Sequence, residues 1–492
     1  MRGRANDVAG NEGNHRYDLI VIGAGGAGST VAGEANNRGA RVALIERWKV
    51  GGTCLNVGCD PTKTLVRSAQ ILHQARHAAR FGITVPEVTP DWPAVIARVD
   101  RVIDTIRGGD GDRNIRESGV SLFKGTGRFV SPHEVEVNGE TLWGEKIVIA
   151  TGASEVIPPI EGLREAGYIT NVEAVALPEL PRSMTIIGGG VIGCEFAQVF
   201  ARFGVEVTIL GAAGRLLPRE DEAVVLPLQD VLRREGVAIQ TSCRVDRVVR
   251  RDGLLCVSGI REGERVEHCA TETILVAAGR KPSFAGLDLE AAGVVATDQG
   301  IVVDAEMMTN VPHIAAVGDA TGLFPFTHIA DYQARIAENN LMGSGPRQRA
   351  DYRAVPWTIF TDPELARVGL TEAQARDEGY DVKCATVQVK DLARAITAGE
   401  TEGVVKLVSD RATGQVLGGH ILSANAGEML SEIVLAMRTG LPVSALCDTI
   451  HSYPTLSEGV FWAAFELAKP DMAAIGAARG HQAAYGEVPE DV

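Results

Sequence analysis

One motif occurs twice in this chain, and it restricts the possible fold more than any other feature. In each copy a short apolar run, typical of a buried strand, leads into a glycine-rich turn, a helix-like stretch and a second strand. The first copy turns at Gly23–Gly28 (GAGGAG) and the second at Gly188–Gly193 (GGGVIG). Units of this kind build parallel, doubly wound sheets. The sequence therefore predicts an α/β protein with two Rossmann-like dinucleotide-binding domains.

The glycines of these turns have separate physical tasks. One permits the tight turn, the next lets the backbone approach a pyrophosphate, and the third lets helix and strand pack closely. The helix N-terminus that follows offers N–H groups and partial positive charge to the phosphates. The candidate cofactor-binding glycines of the two turns are Gly23, Gly25, Gly28, Gly188, Gly190 and Gly193.

The residue that ends the second strand of each unit indicates which nucleotide is bound. In the first unit this residue is Glu46, which is placed to accept hydrogen bonds from a ribose diol. In the second unit the corresponding position is Gly211, which removes the usual partner of the NAD ribose. Arg215 or Arg219 could instead contact the 2′-phosphate of NADP, or both could be ordinary surface arginines. We therefore expect NADPH, with NADH as the alternative.

Length and charge limit the possible partners and compartment. A chain of 492 residues is expected to form two or more domains. Its net charge of −15 argues against binding to nucleic acid or to anionic membranes. No signal-peptide pattern is evident in Met1–Arg16, and no apolar stretch is long enough for a membrane span. Eight cysteines are too few for a disulfide-stapled secreted scaffold, so we expect a cytoplasmic protein.

Two cysteines close together, Cys54 and Cys59, follow the first glycine-rich unit directly. In a reducing compartment such a pair can cycle between dithiol and disulfide. Lys63 lies one helical turn after Cys59, and positive charge near a thiol raises its thiolate fraction. A zinc site is disfavoured because the chain has no obvious second pair of ligands, and no metal site is predicted. Two inert buried thiols are the alternative when the pair is considered alone.

These motifs, together with ATGAS, AVGDA and HSYPTLSE further along the chain, occur in the order found in one family. The sequence resembles the pyridine nucleotide–disulfide oxidoreductases, which include glutathione reductase, dihydrolipoamide dehydrogenase and mercuric reductase. The resemblance extends from Tyr17 to about Lys469. It implies a homodimeric, FAD-dependent NAD(P)H oxidoreductase with a C-terminal α+β dimerisation domain. The domains expected are 1–155 with 285–350 for FAD, 156–284 for NAD(P) and 351–492 for dimerisation.

The resemblance also implies roles for particular residues. Cys59 would be the thiol that faces the flavin and Cys54 the thiol that attacks the acceptor, with Lys63 and Glu195 as an ion pair beside the flavin. The segment around Pro454, with Glu458, would complete the active site of the partner subunit. NAD(P)H would lie near the second glycine turn, Gly279 and Arg215. The residues expected to hold FAD are Gly23, Gly25, Gly28, Glu46, Gly52, Thr53, Thr151, Gly152 and Asp319.

One position departs from the disulfide-reducing members of the family. They carry a histidine base where this chain has Tyr453, and a phenol with a pKa of about 10 is a poor base at neutral pH. His451 is a possible substitute. Tyr453 and Tyr168 are a point of resemblance to mercuric reductase, although both side chains could simply pack in the active site. Mercuric reductase carries a C-terminal pair of adjacent cysteines that passes Hg(II) to its active site, whereas the tail after Lys469 contains no cysteine. We therefore expect weak reduction of lipoamide or glutathione disulfide and inefficient mercury turnover.

Three functions follow from these observations. The leading one is an NAD(P)H-dependent reductase of a thiol-reactive small-molecule acceptor, namely a disulfide, a soft metal ion such as Hg(II), or a quinone. The second is a dihydrolipoamide dehydrogenase, which Tyr453 disfavours. The third is a flavin-bearing redox sensor whose disulfide state controls a partner, although no appended binding domain supports it.

Overall fold

The structure is a computed structural model that describes residues 15–469, except for the side chains of residues 269 and 270. It divides into two compact units. The first contains the described residues up to Asn56, Ile103–Ser154 and Arg280–Ala350, and the second contains Val57–Val102, Glu155–Gly279 and the described residues from Asp351. The start of the chain, where no signal pattern is evident, and the tail without cysteines lie outside the described residues.

A seven-stranded sheet forms the centre of the first unit. Its middle strands are parallel, and five of the seven residues of the strand Arg16–Ile22 are buried between its neighbours. Ile314–Ala316 adds a further parallel strand beside Glu140–Ile149. The order of the other strands is Ser121–Lys124, Val42–Glu46, Arg16–Ile22, Glu140–Ile149, Glu134–Val137 and Arg128–Ser131.

Two helices cover one face of this sheet. Gly26–Asn37 follows the first glycine turn, and Thr327–Met342 packs beside it. Their small and aliphatic side chains, such as Ala32 and Ala337, join the apolar side chains of the sheet in one buried cluster. Burial of this face stabilises the α/β layer because apolar surface is removed from water.

Three further sheets lie in the second unit. A parallel sheet has the order Ala238–Gln240, Glu206–Leu210, Ser183–Ile187 and Thr273–Val276. An antiparallel sheet has the order Cys243–Arg251, Leu254–Arg261 and Glu264–Thr271. The third, also antiparallel, has the order Pro356–Ile359, Glu364–Gly369, Val416–Ser423, Val404–Asp410 and Val382–Gln388.

The remaining elements are helices and short strands. The short strands are Ala153–Glu155, Arg280–Pro282, Ala296–Thr297 and Gly300–Ile301. The other α-helices are Gly52–Val57, Cys59–Arg76, Trp92–Arg107, Gly111–Glu117, Leu163–Ala166, Asn171–Ala174, Val191–Arg202, Glu222–Arg234, Glu372–Asp377, Ala393–Ala398, Ala426–Met429, Ser431–Thr439, Val443–Asp448 and Glu458–Ala468. The predicted fold class is confirmed by a first sheet whose central strands are parallel, a second sheet that is parallel throughout, and a C-terminal α+β region. A glycine turn follows a central strand of each of these two sheets. The exact domain limits stay a prediction.

A buried ionic cluster connects the helix Glu222–Arg234 to the C-terminal five-stranded sheet. Asp221 begins this helix as its N-cap, and its carboxylate oxygens lie 3.0 and 3.1 Å from Lys406 Nζ. Lys406 also contacts Glu372 at 2.9 Å. His420 is completely buried, and one of its ring nitrogens lies 2.9 Å from the Leu370 carbonyl. Ion pairs and hydrogen bonds offset the cost of burying Asp221 and Lys406. The Nδ1 atom of His420 is buried without a hydrogen-bond partner among the described residues.

His420 is expected to make the protein sensitive to acid. Burial lowers the pKa of His420 to about 4, so the folded protein holds the neutral ring where the unfolded chain, with a pKa near 6.5, takes up a proton. The contribution of the neutral ring to the free energy of unfolding is complete above about pH 6.5. It is lost as the pH falls toward 4, which lowers the free energy of unfolding by about 3 kcal/mol. Urea unfolding between about pH 7.5 and pH 4 measures it. The His420→Gln variant should lose less stability over this range, and an equal loss in both proteins would contradict the assignment.

Candidate active site

The first glycine turn lies at the carboxyl edge of the seven-stranded sheet. Gly23 has φ +107°, a conformation that favours glycine, and a Cβ at Gly28 would collide with the carbonyl oxygen of Gly23. Gly25 approaches Gly52 so closely that a Cβ on Gly52 would lie 2.7 Å from the Gly25 Cα. The turn and Gly52, which begins the helix that contains Cys54, therefore present adjacent backbone without side chains between them.

Glu46 ends the strand Val42–Glu46 beside this turn. One of its carboxylate oxygens accepts a hydrogen bond from the Ala24 N–H at 2.7 Å, and the other accepts one from the Trp48 N–H at 2.6 Å. Glu46 is 7% exposed. These two bonds hold the carboxylate at the end of its strand, where the strand, the glycine turn and the following loop meet.

The remaining predicted FAD residues of the first unit are close to the same edge. Thr151 follows the strand next to Gly23, and its hydroxyl oxygen is buried without a hydrogen-bond partner among the described residues. Gly152 beside it has φ +70°. Burial raises the pKa of Asp319, while the charge of Arg280 opposes this shift. Thr53 lies in the helix Gly52–Val57. A buried hydroxyl that meets no protein partner fits a bound polar ligand, so this edge can hold FAD.

The second glycine turn repeats the geometry in the second unit. Gly188 has φ +125°, and a Cβ at Gly193 would collide with the carbonyl oxygen of Gly188. Gly190 precedes the helix Val191–Arg202 as its N-cap. Gly279, after the neighbouring parallel strand, has φ +120°. The turn can therefore approach a pyrophosphate in the way that the first turn can.

Arg215 lies in the loop after the strand Glu206–Leu210. Its guanidinium donates hydrogen bonds to the carbonyl oxygens of Leu217, Pro218 and Glu220 at 3.3, 3.2 and 2.7 Å. The Arg219 carbonyl in turn accepts a hydrogen bond from Arg367. Arg215 thus shapes its own loop, and its contact with a 2′-phosphate stays a prediction.

The cysteine pair is divided between two consecutive helices. Cys54 lies in Gly52–Val57 and is half-buried, whereas Cys59 is exposed and is the first residue of Cys59–Arg76. The N-terminus of an 18-residue helix favours a thiolate at Cys59 because of its partial positive charge. Burial raises the pKa of the adjacent Asp60, and the charge of Lys63 opposes this shift.

Lys63 and Glu195 form the ion pair that the resemblance implies. Lys63 Nζ lies 2.9 and 2.8 Å from the two carboxylate oxygens of Glu195, which is only 3% exposed. The N–H of Phe360 donates to the same carboxylate at 2.8 Å, and Lys63 Nζ lies 4.7 Å from the centre of the Phe360 ring. The helix that begins with Cys59 is therefore bound to the helix that follows the second glycine turn.

Sequence reasoning missed the residues that hold this pair in place. Gln198 exchanges two hydrogen bonds with the backbone of Asp362, at 2.7 and 2.8 Å. Arg202 contacts the Asp362 carboxylate at 2.7 Å and the two oxygens of Glu235 at 2.8 and 2.7 Å. Glu195, Gln198 and Arg202 share one helix face, since they are three and four positions apart. This spacing is the signal by which they could have been found.

The C-terminal candidates lie around an exposed loop. Tyr453 is 65% exposed, while the His451 side chain is only 9% exposed. The ring nitrogens of His451 lie 2.8 Å from a Glu432 oxygen and 2.9 Å from the Thr449 carbonyl oxygen. Glu458 accepts a hydrogen bond from the Thr455 N–H at 3.1 Å. His451 is thus engaged within its own subunit, which argues against its acting as the substitute base.

The last predicted candidate is Tyr168. Tyr168 is partly buried against an apolar cluster of the second unit, which is consistent with a packing role. Among the side chains that the structure describes, no group of three or more potential ligands could hold a metal ion. Within residues 15–469, no helix has both the length and the apolar character needed to cross a membrane.

The comparisons with known proteins agree with this geometry. The family described as "Pyridine nucleotide-disulphide oxidoreductase" matches residues 17–334, and its dimerisation domain matches residues 355–464. A mercuric reductase of Bacillus cereus is 37% identical over 92% of this chain and 72% of its own length. A dihydrolipoyl dehydrogenase of Chlamydia muridarum is 35% identical over 93% and 98%.

A solved structure extends the similarity to the fold. The structure described as "HOCl-induced flavoprotein disulfide reductase RclA from Escherichia coli" is 36% identical, with a TM-score of 0.81. The match covers 92% of this chain and 100% of that one. This chain therefore belongs to the pyridine nucleotide–disulphide oxidoreductase family, whose members bind FAD and use a nicotinamide nucleotide, and it is an enzyme of that family.

Proposed function

We propose that this enzyme uses NAD(P)H, FAD and the Cys54/Cys59 pair to reduce a thiol-reactive acceptor. The observation that carries the proposal is the Lys63–Glu195 ion pair, with distances of 2.8 and 2.9 Å. It connects the helix that begins with Cys59 to the helix that follows the second glycine turn. The ion pair therefore holds Cys59 and the second glycine turn in a defined relation, because each lies at the start of one of the two helices.

Particular residues are proposed to bind the two cofactors. The first glycine turn, with Gly52, Thr53, Thr151, Gly152, Glu46 and Asp319, would hold FAD, which when bound accepts a hydride and passes on electrons. The second glycine turn would hold the nicotinamide nucleotide. Gly211 in the place of an acidic residue favours NADPH, with NADH as the alternative. We also propose a cytoplasmic homodimer with the domain limits given by the sequence.

The cysteines are proposed to carry the electron pair to the acceptor. Two electrons and two protons convert the Cys54–Cys59 disulfide into two thiols. The Cys54 thiolate then attacks or binds the acceptor, two electrons pass to it, and the disulfide forms again. Cys59 lies at a helix N-terminus, which favours the thiolate form of Cys59 once the disulfide is reduced.

The acceptor proposed first is a soft metal ion. Relatives of this chain include proteins named mercuric reductase, and one solved structure is described as a Cu(II) complex of RclA. Tyr453 is exposed, and its phenol oxygen can ligate such an ion in the anionic form, whereas the neutral phenol is a poor base for disulfide exchange. The tail after Lys469 has no cysteine pair to deliver Hg(II), so slow mercury turnover is expected.

An anaerobic titration followed by an acceptor screen tests the proposal. NADPH or NADH should produce a long-wavelength charge-transfer band that the Cys59→Ser variant does not show. Hg(II), Cu(II), lipoamide, glutathione disulfide and a quinone are then compared as acceptors. Rapid lipoamide reduction would instead favour a dihydrolipoamide dehydrogenase. Slow turnover with every acceptor would favour a redox sensor.

The Tyr453→His variant is expected to reduce lipoamide faster than the native enzyme, by a factor on the order of 10². Imidazole, with a pKa of about 6.5, can act as a base at neutral pH where the phenol cannot. Steady-state rates with lipoamide measure the gain, and Tyr453→Phe serves as the matched control. Equal rates in the histidine and phenylalanine variants would show that this position does not decide the acceptor.

A further inference from the structure

A threonine distant in sequence contacts the sulfur of Cys54. The hydroxyl of Thr327 donates a hydrogen bond to Cys54 Sγ, with 3.0 Å between oxygen and sulfur. Thr327 is the first residue of the helix Thr327–Met342, and both residues lie in the first compact unit. The sulfur therefore lies beside the N-terminus of a 16-residue helix.

The charges around this helix N-terminus favour an anion. A helix of this length carries partial positive charge at its first turn. That turn contains no acidic side chain, and the residue before it is Phe326, whose ring cannot cap the helix. The titratable side chain of the turn is His328, whose ring stacks on Phe326 with centres 5.6 Å apart. The first acidic residue of the helix is Asp331.

The Asp331 carboxylate is held by other groups. It accepts a hydrogen bond from the Thr30 hydroxyl at 2.9 Å and pairs with Arg335 at 3.0 Å. Its negative charge is therefore partly balanced on its own side of the helix. Both the hydroxyl donor and the helix N-terminus then act on the Cys54 sulfur in the same direction.

We propose that Thr327 is a catalytic residue, whose hydroxyl stabilises Cys54 as the thiolate that meets the acceptor. The proposal rests on the proposed function, in which Cys54 is the acceptor-facing thiol. A hydrogen bond to a charged group is stronger than one to a neutral group. The same contact orients the sulfur, because the donor is fixed at the end of a long helix.

The side chain of Thr327 allows a matched substitution. The methyl group of Thr327 faces Gly26 in the first glycine turn, since a Cβ built on Gly26 would lie 3.9 Å from it. Valine keeps this methyl and the branched shape and removes only the hydroxyl. Serine keeps the hydroxyl and removes the methyl, so the two variants separate the hydrogen bond from the packing.

The experiment measures the reactivity of Cys54 in the reduced, FAD-loaded protein. Native protein, Thr327→Val and Thr327→Ser are alkylated with iodoacetamide from about pH 5 to pH 10, and modification of the Cys54 peptide is quantified by mass spectrometry. The alkylation midpoint of Thr327→Val should rise by about one pH unit or more, since the bond to the charged form is lost. Thr327→Ser should keep the native midpoint.

The outcomes distinguish this proposal from the proposed function. An unchanged midpoint in Thr327→Val overturns the role of Thr327, and so does an equal rise in Thr327→Ser. Thr327→Ala is measured as well, so that the result does not depend on correct folding of one variant. If the native enzyme reduces no acceptor, the proposed function fails, yet a shifted Cys54 midpoint would still support the contact.

Discussion

The Cys54→Ser variant is expected to lose acceptor reduction by a factor on the order of 10³ or more, while NAD(P)H still reduces its FAD. A serine hydroxyl stays protonated at neutral pH, so it is a weak nucleophile toward the acceptor, and it cannot form a disulfide with Cys59. Stopped-flow absorbance measures flavin reduction, and steady-state turnover measures transfer to the acceptor. The two rates should separate in this variant and not in the native enzyme.

Cys447→Ser is the matched control for this result. Cys447 is also half-buried, and burial raises the pKa of its thiol, which keeps it protonated and unreactive. This control should keep both rates within about twofold of native values. Acceptor turnover in Cys54→Ser within about tenfold of the native rate would show that electrons reach the acceptor by another route, such as directly from the flavin.

The Lys406→Met variant is expected to lower the free energy of unfolding by about 3–5 kcal/mol. Lys406 is 9% exposed and lies within 3.1 Å of Asp221 and Glu372. Methionine fills a similar volume and leaves the Asp221 carboxylate, which is 5% exposed, without this cation. Removing one partner of a buried pair is costly because the other charge stays desolvated. Urea unfolding followed by far-UV circular dichroism measures the loss.

Two further variants make this prediction specific. Lys390 is exposed, and Lys390→Met should change the free energy of unfolding by less than about 0.5 kcal/mol. Adding Asp221→Asn to Lys406→Met should restore part of the lost stability, because the unpaired charge is removed. A loss below about 1 kcal/mol in Lys406→Met would mean that water reaches this cluster.

Much of the fold follows from local sequence patterns. Strand, glycine turn and helix are adjacent in sequence, so both nucleotide-binding units could be recognised from the turns at Gly23 and Gly188. The alternation of strand-like and helix-like runs after residue 351 indicates an α+β region. The residues from Ala426 to Met437 have a helix-like pattern throughout, yet the structure divides this region into the helices Ala426–Met429 and Ser431–Thr439. Element ends of this kind depend on packing as well as on periodicity.

Contacts between distant residues could be predicted less well. The Lys63–Glu195 pair was implied only by resemblance to a family, because no periodicity relates two residues on separate helices. His451 is a second example. Its position two residues before Tyr453 suggests a possible substitute base, and only the fold shows that its ring contacts Glu432 and the Thr449 carbonyl.

The class of the protein follows from local features of the sequence: two glycine-rich dinucleotide turns, a nearby cysteine pair and a C-terminal α+β region. These features are local, and each is set by the backbone freedom of glycine, by side-chain periodicity or by spacing along the chain. The side chains that surround the reactive groups become visible only in the folded molecule. Packing of helices and sheets brings distant segments of the chain together, and no local sequence pattern predicts the contacts that result. Examples are the contacts of Thr327 with Cys54 and of Asp221 with Lys406, and the positions of Gln198 and Arg202 behind Glu195.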